Sequence, residues 1–202
     1  MNVLFVGGFL GSGKTTVINR LLNGMAGHGL RAAVVENEIG EIGVDQEVLG
    51  GSAVVTALSG GCVCCELFGD LLTAIGDVRA KADPDWLVIE TTGLAMMESI
   101  KSNYEAYGSR EIPFYIAVVA DCARFELLWT VVEPLLRGQL SAADVVLLTK
   151  TDVAAPTQAL TELIAASAPG ADLLDASVDA CRDLWACVEV RLEGRESHAG
   201  SR

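Results

Sequence analysis

The residues with the clearest chemistry stand near the start of the chain. Gly8-Phe9-Leu10-Gly11-Ser12-Gly13-Lys14-Thr15-Thr16 fits the spacing G-x-x-x-x-G-K-[ST]. The apolar run Val3–Val6 precedes it and a helical pattern follows from Thr15. In that setting Gly11 and Gly13 let successive backbone N–H groups turn inward around a phosphate, and the helix N-terminus adds a positive field. Lys14 is then placed to reach β- and γ-phosphates, and the Thr15 hydroxyl to ligate Mg²⁺. Gly8, Gly11, Ser12, Gly13, Lys14, Thr15 and Thr16 are the expected nucleotide contacts.

Four further segments carry chemistry. Val145–Leu148 reads as a buried strand ending in Thr149-Lys150-Thr151-Asp152. A carboxylate at Asp152 accepts from both N1–H and the exocyclic amine of guanine, whereas adenine offers no N1–H. Lys150 lays its methylene stem along the base. The common form of this motif begins with Asn, where Thr149 stands here; the competing reading makes Asp152 a helix cap. Leu87-Val88-Ile89-Glu90-Thr91-Thr92-Gly93 places an acid at a strand end, three residues before a glycine. There Glu90 holds Mg²⁺ and the Gly93 N–H meets the γ-phosphate, unless the segment is a plain strand–turn–helix junction. In Gly60-Gly61-Cys62-Val63-Cys64-Cys65, an extended chain sends Cys62 and Cys64 to one face and Cys65 to the other. Two thiolates plus a ligand from elsewhere suit Zn²⁺, Cu⁺ or another soft-to-borderline ion; buried apolar cysteines are the alternative. Glu36-Asn37-Glu38-Ile39-Gly40-Glu41-Ile42-Gly43-Val44-Asp45 carries four carboxylates in ten residues. It reads either as a nucleotide-sensing switch or as a solvated loop.

The elements that must position these residues alternate short apolar runs with longer helical ones, the pattern of a mainly parallel sheet with helices on both faces. Strands are expected at Val3–Val6, Ala32–Val35, Val54–Leu58, Trp86–Ile89, Tyr115–Val119, Val145–Leu148 and, more weakly, Asp172–Leu174. Helices are expected over Thr15–Met25, Leu67–Ala82, Arg124–Leu140, Thr157–Ala166 and Asp179–Val190, with Leu67, Phe68, Leu71, Leu72, Ile75 and Val78 forming a core stripe. The 202 residues, 51% hydrophobic and 20% charged, suffice for one domain over residues 1–192 with a polar tail at 193–202. The net charge of −13 repels nucleic acid and anionic lipid. No apolar run is long enough to span a membrane, and Met1–Val6 lacks the basic start of a signal peptide. The six cysteines therefore point to a reducing, cytoplasmic setting, with Cys122, Cys181 and Cys187 as packing residues rather than disulfide partners. His28 and His198 show no partner at sequence level.

Taken in order, Gly8–Thr16, Glu36–Glu41, Gly61–Cys65, Glu90–Gly93 and Thr149–Asp152 resemble the CobW-like metallochaperone GTPases, a P-loop NTPase family. Val119-Ala120-Asp121 is similar to the family's post-strand aspartate, and C-x-C-C is its hallmark. The resemblance covers Val3 to about Val190 and implies a GTPase domain alone, since typical members carry a further C-terminal domain. It implies a transition-metal site from Cys62, Cys64 or Cys65 with Glu36 and Glu41, taking Zn²⁺, Co²⁺, Ni²⁺ or iron. It also implies Mg²⁺ with GTP on Thr15 and Glu90, catalysis by Lys14 with Glu38 or Glu90 aligning water, and metal delivery to a client metalloprotein. No motif arginine is an evident finger, so turnover is expected to be slow until a partner or a homodimer raises it. A nucleotide-responsive metal buffer or sensor, and an ATP-dependent activator of a corrinoid or other cofactor protein, are the competing readings.

Overall fold

The computed structural model describes residues 1–35, 53–55 and 68–193. The acidic segment with Glu36, Glu38 and Glu41, the thiol segment with Cys62, Cys64 and Cys65, and the tail with His198 lie outside the described residues. The elements in chain order are β1 (Asn2–Gly7), α1 (Lys14–Gly27), β2 (Ala32–Val35), β3 (Ala53–Val55), α2 (Phe68–Lys81), β4 (Trp86–Glu90), α3 (Met97–Tyr107), β5 (Phe114–Asp121), α4 (Phe125–Leu140), β6 (Val145–Thr149), α5 (Gln158–Ser167), β7 (Asp172–Asp175) and α6 (Leu184–Glu193). The strands form one sheet in the order β3-β2-β4-β1-β5-β6-β7, and every pair is parallel.

Alternation along the strands divides the core in two. Phe5, Leu87, Ile89 and Ile116 point to the face covered by α2 to α5, where Phe68, Ile75, Met97, Tyr104, Leu136 and Leu160 meet them. Leu4, Val6, Val88, Ala117 and Leu147 point to the other face, under Val17, Leu21 and Met25 of α1 and Trp185 and Val188 of α6. With both faces covered, the central strands are apolar throughout, as parallel sheets require. Among the described residues no helix is long and apolar enough to cross a membrane.

Four expectations need correction. α3 was not foreseen: its buried stripe is only Met97, Ile100 and Tyr104, set among Ser, Asn and Glu. β3 begins one residue earlier than expected and is described only to Val55. α6 starts at Leu184 rather than Asp179, because Asp183 takes the N-terminal capping position and its Oδ1 accepts from the Ala186 N–H at 3.0 Å. Finally, Cys181 and Cys187 are joined in a disulfide rather than simply packed, the bend before α6 bringing their Cα atoms to 6.8 Å. Cys122 does remain a free thiol, and burial, then Asp175 and Asp121, push its pKa up to about 11, so it stays protonated.

Candidate functional site

Parallel strands carry their C-terminal ends to one edge, and the order reverses at β1, which has β4 on one side and β5 on the other. Such a switch point opens a crevice beyond the strand ends. Register sets what lines it: Val6 stands beside Glu90, Gly7 beside Val118, and Asp121 beside Thr149. The segment leaving β1 is Gly8–Gly13, and the residues leaving β4, β5 and β6 begin at Thr91, Cys122 and Lys150.

Between β1 and α1 the chain closes a tight loop with Gly8, Gly11 and Gly13 at φ 136°, 68° and 95°. These values lie in the region that side chains disfavour, so the glycines are what permit the inward turn. Gly13 stands at the N-cap of α1 with no side-chain cap, which leaves the first helical N–H groups to a ligand. Lys14 is 8% exposed; its Nζ donates to the carbonyls of Gly8 at 2.9 Å and Phe9 at 3.3 Å. Burial lowers the pKa of this ammonium, while Glu90 pulls it back up. Ser12 is 1% exposed and its Oγ has no partner among the described residues. Thr15 and Thr16 are exposed in the first turn of α1. The Thr15 hydroxyl stands 3.3 Å from both carboxylate oxygens of Glu90. A hydroxyl and a carboxylate side by side at a phosphate loop are hard oxygen donors, which fits Mg²⁺.

Behind Glu90, the Thr91 N–H and hydroxyl both donate to the Val6 carbonyl, at 3.0 and 3.2 Å, locking β4 to β1. Gly93 then passes so close to the phosphate loop that a Cβ on it would lie 2.6 Å from the Leu10 nitrogen. Gly93 and Glu90 thus share one end of the crevice with Lys14 and Thr15.

On the other side sits a network the sequence reading did not assemble. Asp121 is 2% exposed, and its Oδ2 accepts from Lys150 Nζ at 2.6 Å and Arg124 Nε at 2.7 Å. Burial pushes this carboxyl up, but the two cations outweigh it and hold it below the ordinary aspartate value. Each cation also grips the phosphate loop from outside. Lys150 donates to the Gly11 carbonyl at 2.9 Å, and Arg124 Nη2 to that of Leu10 at 3.1 Å. Turning those carbonyls outward leaves the loop's N–H groups to face inward. An acid closing an apolar strand, with an arginine three residues on, was the available signal for this pair; nothing in the sequence pointed to the Lys150 contact with the loop.

Thr149 adds a third tie, its hydroxyl donating to the Ser12 carbonyl at 2.7 Å and the Ala120 carbonyl at 3.3 Å. Lys150 has φ 57°, and its carbonyl accepts from the N–H groups of Val153 and Ala154. The turn so formed leaves Asp152 exposed. Asp152 caps no helix: α5 is capped by Thr157, whose Oγ1 accepts from the Leu160 N–H at 3.0 Å. The structure therefore gathers Gly8, Gly11, Ser12, Gly13, Lys14, Thr15, Thr16, Glu90, Gly93, Lys150 and Asp152 along one sheet edge. Among the described residues no group of His, Cys, Asp and Glu is arranged to hold a metal ion. His28 instead pairs with Asp183 at 2.7 Å, and that hydrogen bond raises its pKa.

Comparison with known proteins gives a consistent picture. Residues 2–174 match the model of the family described as CobW/HypB/UreG, nucleotide-binding domain. The zinc chaperone YjiA of Escherichia coli (strain K12) is 34% identical over 172 residues, which are 81% of this chain and 53% of that protein. The zinc chaperone CobW of a Sinorhizobium species is 31% identical over 177 residues, 72% of this chain and 49% of that protein. The chain spans about half the length of these relatives. The crystal structure of the Zn(II)-bound YjiA GTPase from E. coli superposes with a TM-score of 0.65 at 26% identity, over 92% of this chain and 62% of that one. HypB from Helicobacter pylori, solved in complex with nickel, shares the fold with a TM-score of 0.61 at 17% identity, over 98% of this chain and 90% of that one.

Proposed function

The chain belongs to the CobW/HypB/UreG family of nucleotide-binding domains, and on that premise we propose that it is a GTPase that couples GTP turnover to handing a transition metal, foremost Zn²⁺, to a client metalloprotein. The observation that carries the reading is the convergence of Lys14, the Thr15–Glu90 pair and Gly93 around one glycine-bounded loop. Catalysis there is positioning and charge stabilisation. Lys14 leaves its loop carbonyls for the β- and γ-phosphates. Thr15 and Glu90 would hold Mg²⁺, which would neutralise the charge that develops on those oxygens. The Gly93 N–H senses the γ-phosphate, and Glu38 or Glu90 aligns the attacking water. At the opposite end Asp152 and Lys150 select guanine.

The metal is the cargo. Zinc is favoured because the relatives named above are zinc chaperones and because the ligands that the resemblance implies, Cys62, Cys64 or Cys65 with Glu36 and Glu41, would offer thiolate and carboxylate donors that suit it. Ligands on the acidic segment would make metal and nucleotide affinities reciprocal: the factor by which GTP changes metal affinity is the factor by which metal changes GTP affinity. Titration of Zn²⁺ or Co²⁺ into the nucleotide-free, GDP-bound and GTP-analogue-bound chain tests this. A shift of about 5- to 150-fold between states is expected, and Cys64→Ala should abolish it. Equal affinity in all three states defeats the coupling and leaves a passive metal buffer.

A further inference from the structure

Gln139, in the last turn of α4, is 1% exposed. Its Nε2 donates to the carbonyls of Gly93 at 3.2 Å and Ala95 at 3.1 Å, both in the turn that leaves β4. Its Oε1 is buried and accepts nothing among the described residues. A buried amide with an unpaired oxygen is a costly way to fill space that a methionine or leucine would fill as well. What the amide holds explains its presence. The turn it grips is the one pressed against the phosphate loop, with Gly93 against Leu10. The neighbouring helix residue Gly138 meets Met96 so closely that a Cβ there would lie 2.9 Å from Met96 Cε. Residues 93–96 are thus held between the phosphate loop and the end of α4, beyond the break in that helix at Val132.

We infer that Gln139 is a positioning residue that sets where the Gly93 amide stands, and so sets how sharply the site distinguishes a nucleoside triphosphate from a diphosphate. The inference rests on the proposed role of Gly93 at the γ-phosphate. It carries a signature that simple core packing lacks. A packing residue supports both nucleotide complexes alike, whereas a residue acting through Gly93 matters only where a γ-phosphate is present.

The test compares the unmodified chain with Gln139→Met, which keeps length and bulk but removes both donors. Affinities for GDP and for a non-hydrolysable GTP analogue are measured with kcat. GDP affinity is expected to stay within about twofold while analogue affinity and kcat each fall roughly tenfold, the size of one lost hydrogen bond. Equal losses for both nucleotides, or no loss, overturn the inference and leave the GTPase reading standing. Failure of the unmodified chain to bind GTP overturns both. If Gln139→Met does not fold, amide hydrogen exchange on the unmodified chain decides. Residues 93–97 and 136–140 should change protection together when the analogue replaces GDP; a change confined to residues 93–97 overturns the inference.

Discussion

At the phosphate end of the crevice, Lys14 is buried, its ammonium rests on two loop carbonyls, and the loop is braced from outside by Arg124, Lys150 and Thr149. At the proposed base end, Asp152 stands exposed on a turn, and α5 is capped by Thr157 instead. The two ends solve different problems. Polyphosphate is recognised by many backbone donors that must all point one way, which takes a rigid, over-determined loop. A base edge is read by one or two directed hydrogen bonds, and those can sit on a turn that merely protrudes at the right place. Changes at the phosphate end should therefore alter binding or chemistry for any nucleotide, and changes at the base end should alter choice alone.

The largest effect is expected at Lys14. Lys14→Met should lower the rate of phosphate release from GTP by about 100- to 1,000-fold, the range for removing one preorganised charge-stabilising donor. The sign of its effect on stability is opposite. Burial holds the Lys14 pKa below 10.5, so the folded, nucleotide-free chain disfavours the charged form. That cost is present at neutral pH and eases as pH rises through the lowered pKa toward 10.5. Without nucleotide, Lys14→Met should thus melt no lower than the unmodified chain, and it should lose most of the stabilisation that GTP confers. Wild-type turnover in the variant would break the contrast between the two ends.

The same contrast governs what could be read from the sequence. The phosphate loop was legible because its function lies in local spacing: a strand, glycines at fixed offsets, a lysine and a helix all occur within about twenty residues, as such motifs do. The parallel sheet was legible because strands buried on both faces leave uninterrupted apolar runs. The braces were not legible. Arg124 to Leu10, Lys150 to Gly11, Thr149 to Ser12 and Gln139 to Gly93 join residues 46 to 139 positions apart, and no local pattern encodes such a contact. Arg124 and Gln139 look like ordinary polar residues of an amphipathic helix. α3 was missed for a related reason: it buries three side chains, too few to raise a helical period above its polar surroundings.

A smaller effect is expected from Asp152→Ala, which isolates the base end. Losing a charge-assisted contact and stranding its partners should reduce the preference for GTP over ATP by about 10- to 150-fold. The melting temperature should not move, because Asp152 is exposed and α5 keeps its own cap in Thr157. Calorimetry with both nucleotides checks this. Equal affinity for ATP and GTP in the unmodified chain would remove the base end as a selector.

The smallest effect is expected at Thr149, and it decides to which end that residue belongs. Thr149 opens the base-side segment, yet its hydroxyl is spent on the phosphate loop, 2.7 Å from the Ser12 carbonyl. Thr149→Val keeps the branched shape and removes that donor, leaving a partly buried carbonyl with one bond fewer. A neutral hydrogen bond of this kind contributes about 0.5–1.5 kcal/mol, so nucleotide affinity should fall about two- to twelvefold. If the hydroxyl braces the loop, GTP and ATP weaken by the same factor and the preference between them survives. If Thr149 instead helps to read the base, GTP weakens alone. Thr149→Asn sharpens the result, since its amide can donate to the same carbonyl and should recover most of the lost affinity. A parallel loss in Val with recovery in Asn assigns Thr149 to the phosphate end, while a loss confined to GTP moves the boundary between the two ends inward by one residue.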